Sequence, residues 1–195
     1  VIGLTGGIGS GKSTVARILD DDFCPVFYTD IQAMIIQHVN PKAVEGMKAL
    51  FGDDIYMENG RLDRRKLGNI VFSDKAKLQS LNELIHPLVK EEFDDFVYMN
   101  ELMPAVAIES AILVQSGFYK LCDFSILVSA QEETRIQRVM QRDNLTAEQV
   151  RQRIQNQMPE SEVSKYCKYT IDNRDLDSLR PQIEEIWKKE FPDMK

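Results

Sequence analysis

The residues of this chain best suited to chemistry on phosphate stand together near its start. The run GGIGSGKS at positions 6–13 fits G-x-x-x-x-G-K-[ST] and lies between an apolar β-rich stretch and a stretch of helical period. Glycines let successive backbone N–H groups turn inward on an anion without Cβ obstruction, and a helix starting at the end of the run adds its dipole. Lys12 then reaches the β- and γ-phosphates of a nucleotide, and the Ser13 hydroxyl offers an oxygen to Mg²⁺. A plain chain reversal needs no lysine and hydroxyl fixed behind it. Gly7, Ile8, Gly9, Ser10, Gly11, Lys12, Ser13 and Thr14 are therefore read as the cradle of a nucleoside triphosphate. Switches, motors and kinases share such a loop, and the loop alone does not choose among them.

Further candidates lie downstream. Asp30 is expected at the C-terminal end of the second strand, next to the first, where open parallel sheets gather ligand chemistry. A carboxylate there accepts a proton from an attacking hydroxyl or holds it in line with a γ-phosphate. It suits equally the N-cap of a helix beginning at Ile31. Glu109 closes the apolar run PAVAIE and suits either the water shell of a Mg²⁺ ion or a cap on the following turn. Arg135, Arg138, Arg142, Arg151 and Arg153 lie on two helices joined by DNLT, with Thr146 and Gln149 at capping-box spacing. They read as a lid that closes over phosphates or as a solvated face paired with Asp143 and Glu148.

Positioning these groups takes a sheet with crossover helices. Short β-rich runs at 1–5, 25–29, 105–109, 124–129 and 169–172 alternate with helical spacing at 12–19, 31–39, 41–51, 64–72, 75–99, 131–142, 147–157 and 179–189. The fold class is α/β. The span between the second and third strands is far longer than a minimal crossover and carries NP, ENG and HP breaks, enough for a substrate-binding subdomain.

Composition bounds the partners. A net charge of −7 argues against broad binding to nucleic acid or to an acidic membrane, so an anionic ligand must meet a local basic patch. Cys24, Cys122 and Cys167 show no C-x-x-C spacing, which suggests neither a disulfide framework nor zinc and fits a reducing cytoplasm. No apolar run reaches the roughly 18 to 20 residues of a membrane span, and no basic leader is visible. Val1 already lies in a strand pattern, so native residues are expected before it.

LTGGIGSGKSTVA, TD with Asp30, GRLDRRKLGNIVF, LIHPLV, SGFY, RVMQRDNLTAEQVRQRIQNQM and YTIDN follow one another in the order found in dephospho-CoA kinases, and the chain resembles that family over nearly its whole length. The resemblance implies a five-stranded parallel P-loop kinase core (1–30, 104–134, 166–195), a helical acceptor-binding insertion (31–103) and a helical lid (135–165). It implies ATP as donor with Mg²⁺, and transfer of the γ-phosphate to the ribose 3′-hydroxyl of dephospho-CoA by a cytoplasmic monomer or weak homo-oligomer. By position it makes Asp30, Lys12 and Arg142 catalytic and sets Arg138 and Asn173 with ATP, Asn173 near the adenine. Thr5, Asp30, Arg64 and His86 go to the acceptor, although His86 also suits a core or capping role before Pro87.

The chain departs from the family pattern at Tyr28, which replaces the first carboxylate of D-x-D, and at Ala111 to Gln115, which replace P-L-L-F-E. Cys167 and Lys168 replace Ala-Asp. None of these touches Lys12, Ser13 or Asp30, so activity is expected to survive. The competing readings are a kinase of another nucleotide or of a small metabolite such as shikimate or gluconate, and a nucleotide switch. The long insertion favours a bulkier acceptor than the first, and the chain lacks the N-K-x-D segment of a guanine switch.

Overall fold

A computed structural model describes residues 1–193. The apolar runs become β1 (Ile2–Thr5), β2 (Val26–Tyr28), β3 (Ala107–Glu109), β4 (Phe124–Ser129) and β5 (Tyr169–Asp172). They form a five-stranded parallel sheet in the order β2-β3-β1-β4-β5. Ile2 lies opposite Ala107 on one side of β1 and opposite Phe124 on the other. Every residue of β1 and β3 is buried, as expected for strands covered on both faces.

This order corrects one expectation. The second strand does not lie next to the first, because β3 is inserted between them. An all-buried AIE strand belongs inside the sheet, whereas β2 leads directly into the long helical excursion. Register then sets Glu109 opposite Leu4, making it the strand-end carboxylate beside the phosphate loop.

The chain divides into two compact units, Val1–Phe27 joined to the chain from Leu102 onward, and Tyr28–Glu101. The first carries α1 (Lys12–Asp22), α6 (Glu132–Asp143), α7 (Ala147–Gln155), the single-turn α8 (Glu160–Val163) and α9 (Leu179–Glu190) around the sheet. Asn144 ends α6 in the left-handed region at φ 53°. Thr146 and Gln149 then make the expected capping box at the start of α7. Ile136, Val139 and Val150 bury together as the core of the α6–α7 hairpin.

The second unit is helical, with α2 (Thr29–Val39), α3 (Pro41–Phe51), α4 (Arg64–Phe72) and α5 (Lys75–Met99). Its helix starts follow local chemistry. The Asn40 side chain accepts from Lys42 and Ala43 N–H with Pro41 at the first helical position, Asp63 accepts from Lys66 N–H, and Asp74 accepts from Ala76 and Lys77 N–H. The HP pair does not break the chain. Pro87 sits inside the 25-residue α5, where it removes the N–H that would bond the Glu83 carbonyl, at a cost of roughly 3 kcal/mol. Burial of Leu81, Ile85, Leu88, Val89 and Phe93 along the same helix offsets that cost. Among the described residues no helix is long and apolar enough to cross a membrane.

Candidate active site

The phosphate loop joins β1 to α1, and its conformation is fixed from outside by side chains. Gly11 precedes α1 at φ 89°, and a Cβ there would lie 1.9 Å from Asn173 Nδ2. Only glycine meets both conditions. Asn173 leaves the end of β5, is 1% exposed, and donates from Nδ2 to the Ser10 carbonyl at 2.7 Å. Its own backbone carbonyl and Oδ1 accept from Arg138 Nη2 at 3.3 and 3.4 Å. Arg138 Nη1 lies 3.7 Å from the Cβ position of Gly11 and, like the Ser10 hydroxyl, is buried with no hydrogen-bond partner among the described residues. A buried guanidinium nitrogen left without an acceptor beside a phosphate loop fits an anion.

Lys12, the first residue of α1, is nearly buried at 10% side-chain exposure and forms an ion pair with Glu109, which is 6% exposed. Each charge removed from water needs the other. The strand order makes this pair possible, because Glu109 leaves the strand next to the one that leads into the loop. Arg135 and Gln157 bind the loop from the other side. Arg135 is 8% exposed, and its Nε donates to the Ile8 carbonyl at 2.9 Å. Ile8 N–H donates to Gln157 Oε1 at 2.9 Å. Thr5, Gly7, Gln115, Arg135, Gln157 and Glu160 help to line a cavity of about 60 Å³ beside the loop.

The family model for dephospho-CoA kinase matches residues 1–178. The chain belongs to the dephospho-CoA kinase family. That membership makes it an ATP-dependent phosphotransferase and disfavours a kinase of another small metabolite. A dephospho-CoA kinase of Lactobacillus johnsonii is 39% identical over 174 residues, covering 88% of each chain. The crystal structure of TT1252 from Thermus thermophilus superposes with a TM-score of 0.86 at 34% identity, covering 97% of this chain and 96% of that one. A dephospho-CoA kinase from Campylobacter jejuni shares the fold, with a TM-score of 0.72 at 24% identity over 99% of this chain and 98% of its own.

The structure gathers Thr5, the loop residues, Lys12, Glu109, Arg138 and Asn173 in the first unit. Glu109, read from sequence as a metal or capping group, is the partner of Lys12. Asn173 holds the loop through Ser10. Arg142 stands apart at the end of α6, 62% exposed, and donates through Nε and Nη2 to the Asp143 carboxylate at 2.7 and 3.0 Å. Arg153 also pairs with Asp143 at 3.3 Å. The Arg142–Asp143 pairing lowers the Asp143 carboxyl pKa and raises that of Arg142.

The other positions that the sequence resemblance implied, Asp30, Arg64 and His86, fall in the helical unit. Asp30 is exposed in the first turn of α2, a helix that begins at Thr29 and takes Tyr28 as its cap without any side-chain capping bond. The N-cap reading of Asp30 is thereby corrected: the strand runs into the helix with no loop, so the helix starts before Ile31. Arg64 opens α4 on the solvent side, and His86 is half-buried within α5, where desolvation lowers its pKa.

Sequence reasoning counted Arg135 only among the arginines of the lid and gave Gln157 no role. The available signal was the RIQNQMP ending of the lid segment, whose polar residue follows the last helical turn. The departures at Cys167 and Lys168 are structural. Cys167 packs on the buried Val114, Leu127 and Val163, and Lys168 pairs with Glu190 at 2.6 Å. Burial pushes the Cys24 thiol up to about 12 and those of Cys122 and Cys167 to about 11.

Proposed function

We propose that this chain transfers the γ-phosphate of ATP to the ribose 3′-hydroxyl of dephospho-CoA, giving CoA and ADP. The observation that carries the donor half is the buried Lys12 ammonium at the end of a glycine loop, flanked by Arg138 Nη1, which has no hydrogen-bond partner among the described residues. In this reading the Lys12 ammonium turns from Glu109 to the β- and γ-oxygens and follows their charge into the transition state. Arg138 neutralises the same phosphates, and Arg142 leaves Asp143 to reach them when the 135–165 lid closes. Mg²⁺ would be held by the Ser13 hydroxyl, with Glu109 through water, and supplies charge neutralisation on the phosphate oxygens. Ser13 is exposed on the first turn of α1, and both protein donors are hard oxygens, which fits that ion.

The 31–103 insertion holds the acceptor. Asp30, which directly precedes it, accepts the proton of the 3′-hydroxyl as its oxygen bonds to the γ-phosphorus and the bond to the β-phosphate oxygen breaks, releasing ADP. Arg64 offers the acceptor's diphosphate a guanidinium, with His86 as a further contact in the same unit. The acidic balance of −7 supports a free small-molecule acceptor, and cysteines without C-x-x-C spacing suit a cytoplasmic protein, read here as a monomer or weak homo-oligomer. The test is ADP release with dephospho-CoA against a panel of nucleosides, shikimate and gluconate. Release is expected with dephospho-CoA alone, with phosphate appearing on its ribose. Equal release with a small hydroxy acid, or without any acceptor, would refute the assignment.

A further inference from the structure

Ile8, in the middle of the phosphate loop, is held by every part it has. Its N–H donates to Gln157, its carbonyl accepts from Arg135, and its side chain packs with Leu145, Ala147 and Ile154 on the buried Ile136, Val139 and Val150. These partners all come from α6, α7, the connection between them and the turn that follows α7. Arg135 is itself immobilised. Its Nη1 lies 3.8 Å from Glu160 Oε2, and the other oxygen of that carboxylate accepts from Ser129 Oγ at 2.5 Å. Its Nη2 lies so near the loop that a Cβ on Gly7 would come within 2.4 Å.

Peptide planarity turns these two contacts into control of the loop's donors. In a trans peptide the C=O and the next N–H point to opposite sides. Holding the Ile8 carbonyl on Arg135 therefore aims the Gly9 N–H away from Arg135, where no protein group accepts it among the described residues. Holding Ile8 N–H on Gln157 likewise turns the Gly7 carbonyl the other way, and that carbonyl accepts from Ser10 N–H at 3.0 Å. Two consecutive peptides are thus set by two side chains.

We infer that Arg135 and Gln157 are positioning residues for the nucleotide: by clamping the Ile8 peptide they preset the loop N–H groups that point to phosphate oxygens. The inference rests on the reading of the loop as the ATP cradle but not on the identity of the acceptor. It goes beyond the lid role, in which arginines act by reaching phosphate themselves.

The test measures calorimetric affinity for a non-hydrolysable ATP analogue without acceptor, alongside melting curves, for Gln157→Met, Arg135→Lys and Arg135→Ala. Methionine keeps the length of glutamine and loses its acceptor. Affinity is expected to fall about tenfold in Gln157→Met, the scale of one lost hydrogen bond, with no change in charge. Arg135→Lys is expected to bind as poorly as Arg135→Ala, because an ammonium lacks the planar fork that reaches the Ile8 carbonyl and Glu160 together. In turnover, the ATP KM should rise in step while the acceptor KM holds. Parent-like affinity in Gln157→Met, or full rescue by Arg135→Lys, overturns the inference and leaves the cradle reading standing. A melting point that falls while affinity per folded molecule stays unchanged makes both residues merely structural. A parent that binds no ATP analogue overturns the cradle reading and this inference with it.

Discussion

Lys12 can sit nearly dry beneath the loop only because Glu109 faces it, and that arrangement decides what each carboxylate of the molecule is free to do. Glu109 is paired with the lysine in this structure, whereas Asp30 stands exposed on α2 with no side-chain capping bond. Its side chain serves the helix only through the dipole, worth roughly 0.3–1 kcal/mol for a first-turn carboxylate. Asp30→Asn should therefore melt within that margin of the parent and bind ATP normally, while kcat falls roughly 10²-fold or more for want of a base. Parent-rate turnover of dephospho-CoA in that variant would return Asp30 to an ordinary surface role. At this scale the loop was legible from sequence, because its glycines and lysine are contiguous. The Lys12–Glu109 pair was not, since the two residues are brought together by strand order.

The helices of the lid segment show how far local signals reach. The capping box at Thr146 and Gln149 was readable because both partners lie within one turn. The four-residue α8 was not, being shorter than any period that could announce it. At Pro87 the helical spacing of 75–99 was the better guide than the HP break: the proline's local cost is real, but the buried face of α5 outweighs it. The same logic sets an expectation for Arg142 at the end of α6. Its ion pair with Asp143 is solvent-exposed and contributes little to stability, so Arg142→Ala should leave the melting point essentially unchanged. If the lid closes as proposed, kcat should drop by roughly tenfold or more while the acceptor KM holds. A change confined to the acceptor KM would make Arg142 a binding residue.

For the molecule as a whole, the alternation of apolar runs and helical segments was enough to read an α/β fold, and the matched motifs were enough to read the family. The order of strands was not readable. Periodicity says that a strand is buried but not which neighbours bury it, and β3 took the place beside β1 that β2 had been expected to fill. The raised pKa values of the three cysteines have a further consequence. At neutral pH a thiol with a pKa of about 11 is ionised to about one part in 10⁴, and only the thiolate attacks a disulfide. Acceptor and product of the proposed reaction both end in a thiol, which oxidation converts to a disulfide. A catalyst with ionised cysteines would become covalently tethered to the compound it makes, whereas this one is chemically deaf to it. Intact-protein mass spectrometry after hours with CoA disulfide at neutral pH should show the unmodified chain and unchanged turnover, and prompt CoA adducts on Cys24, Cys122 or Cys167 would refute the expectation.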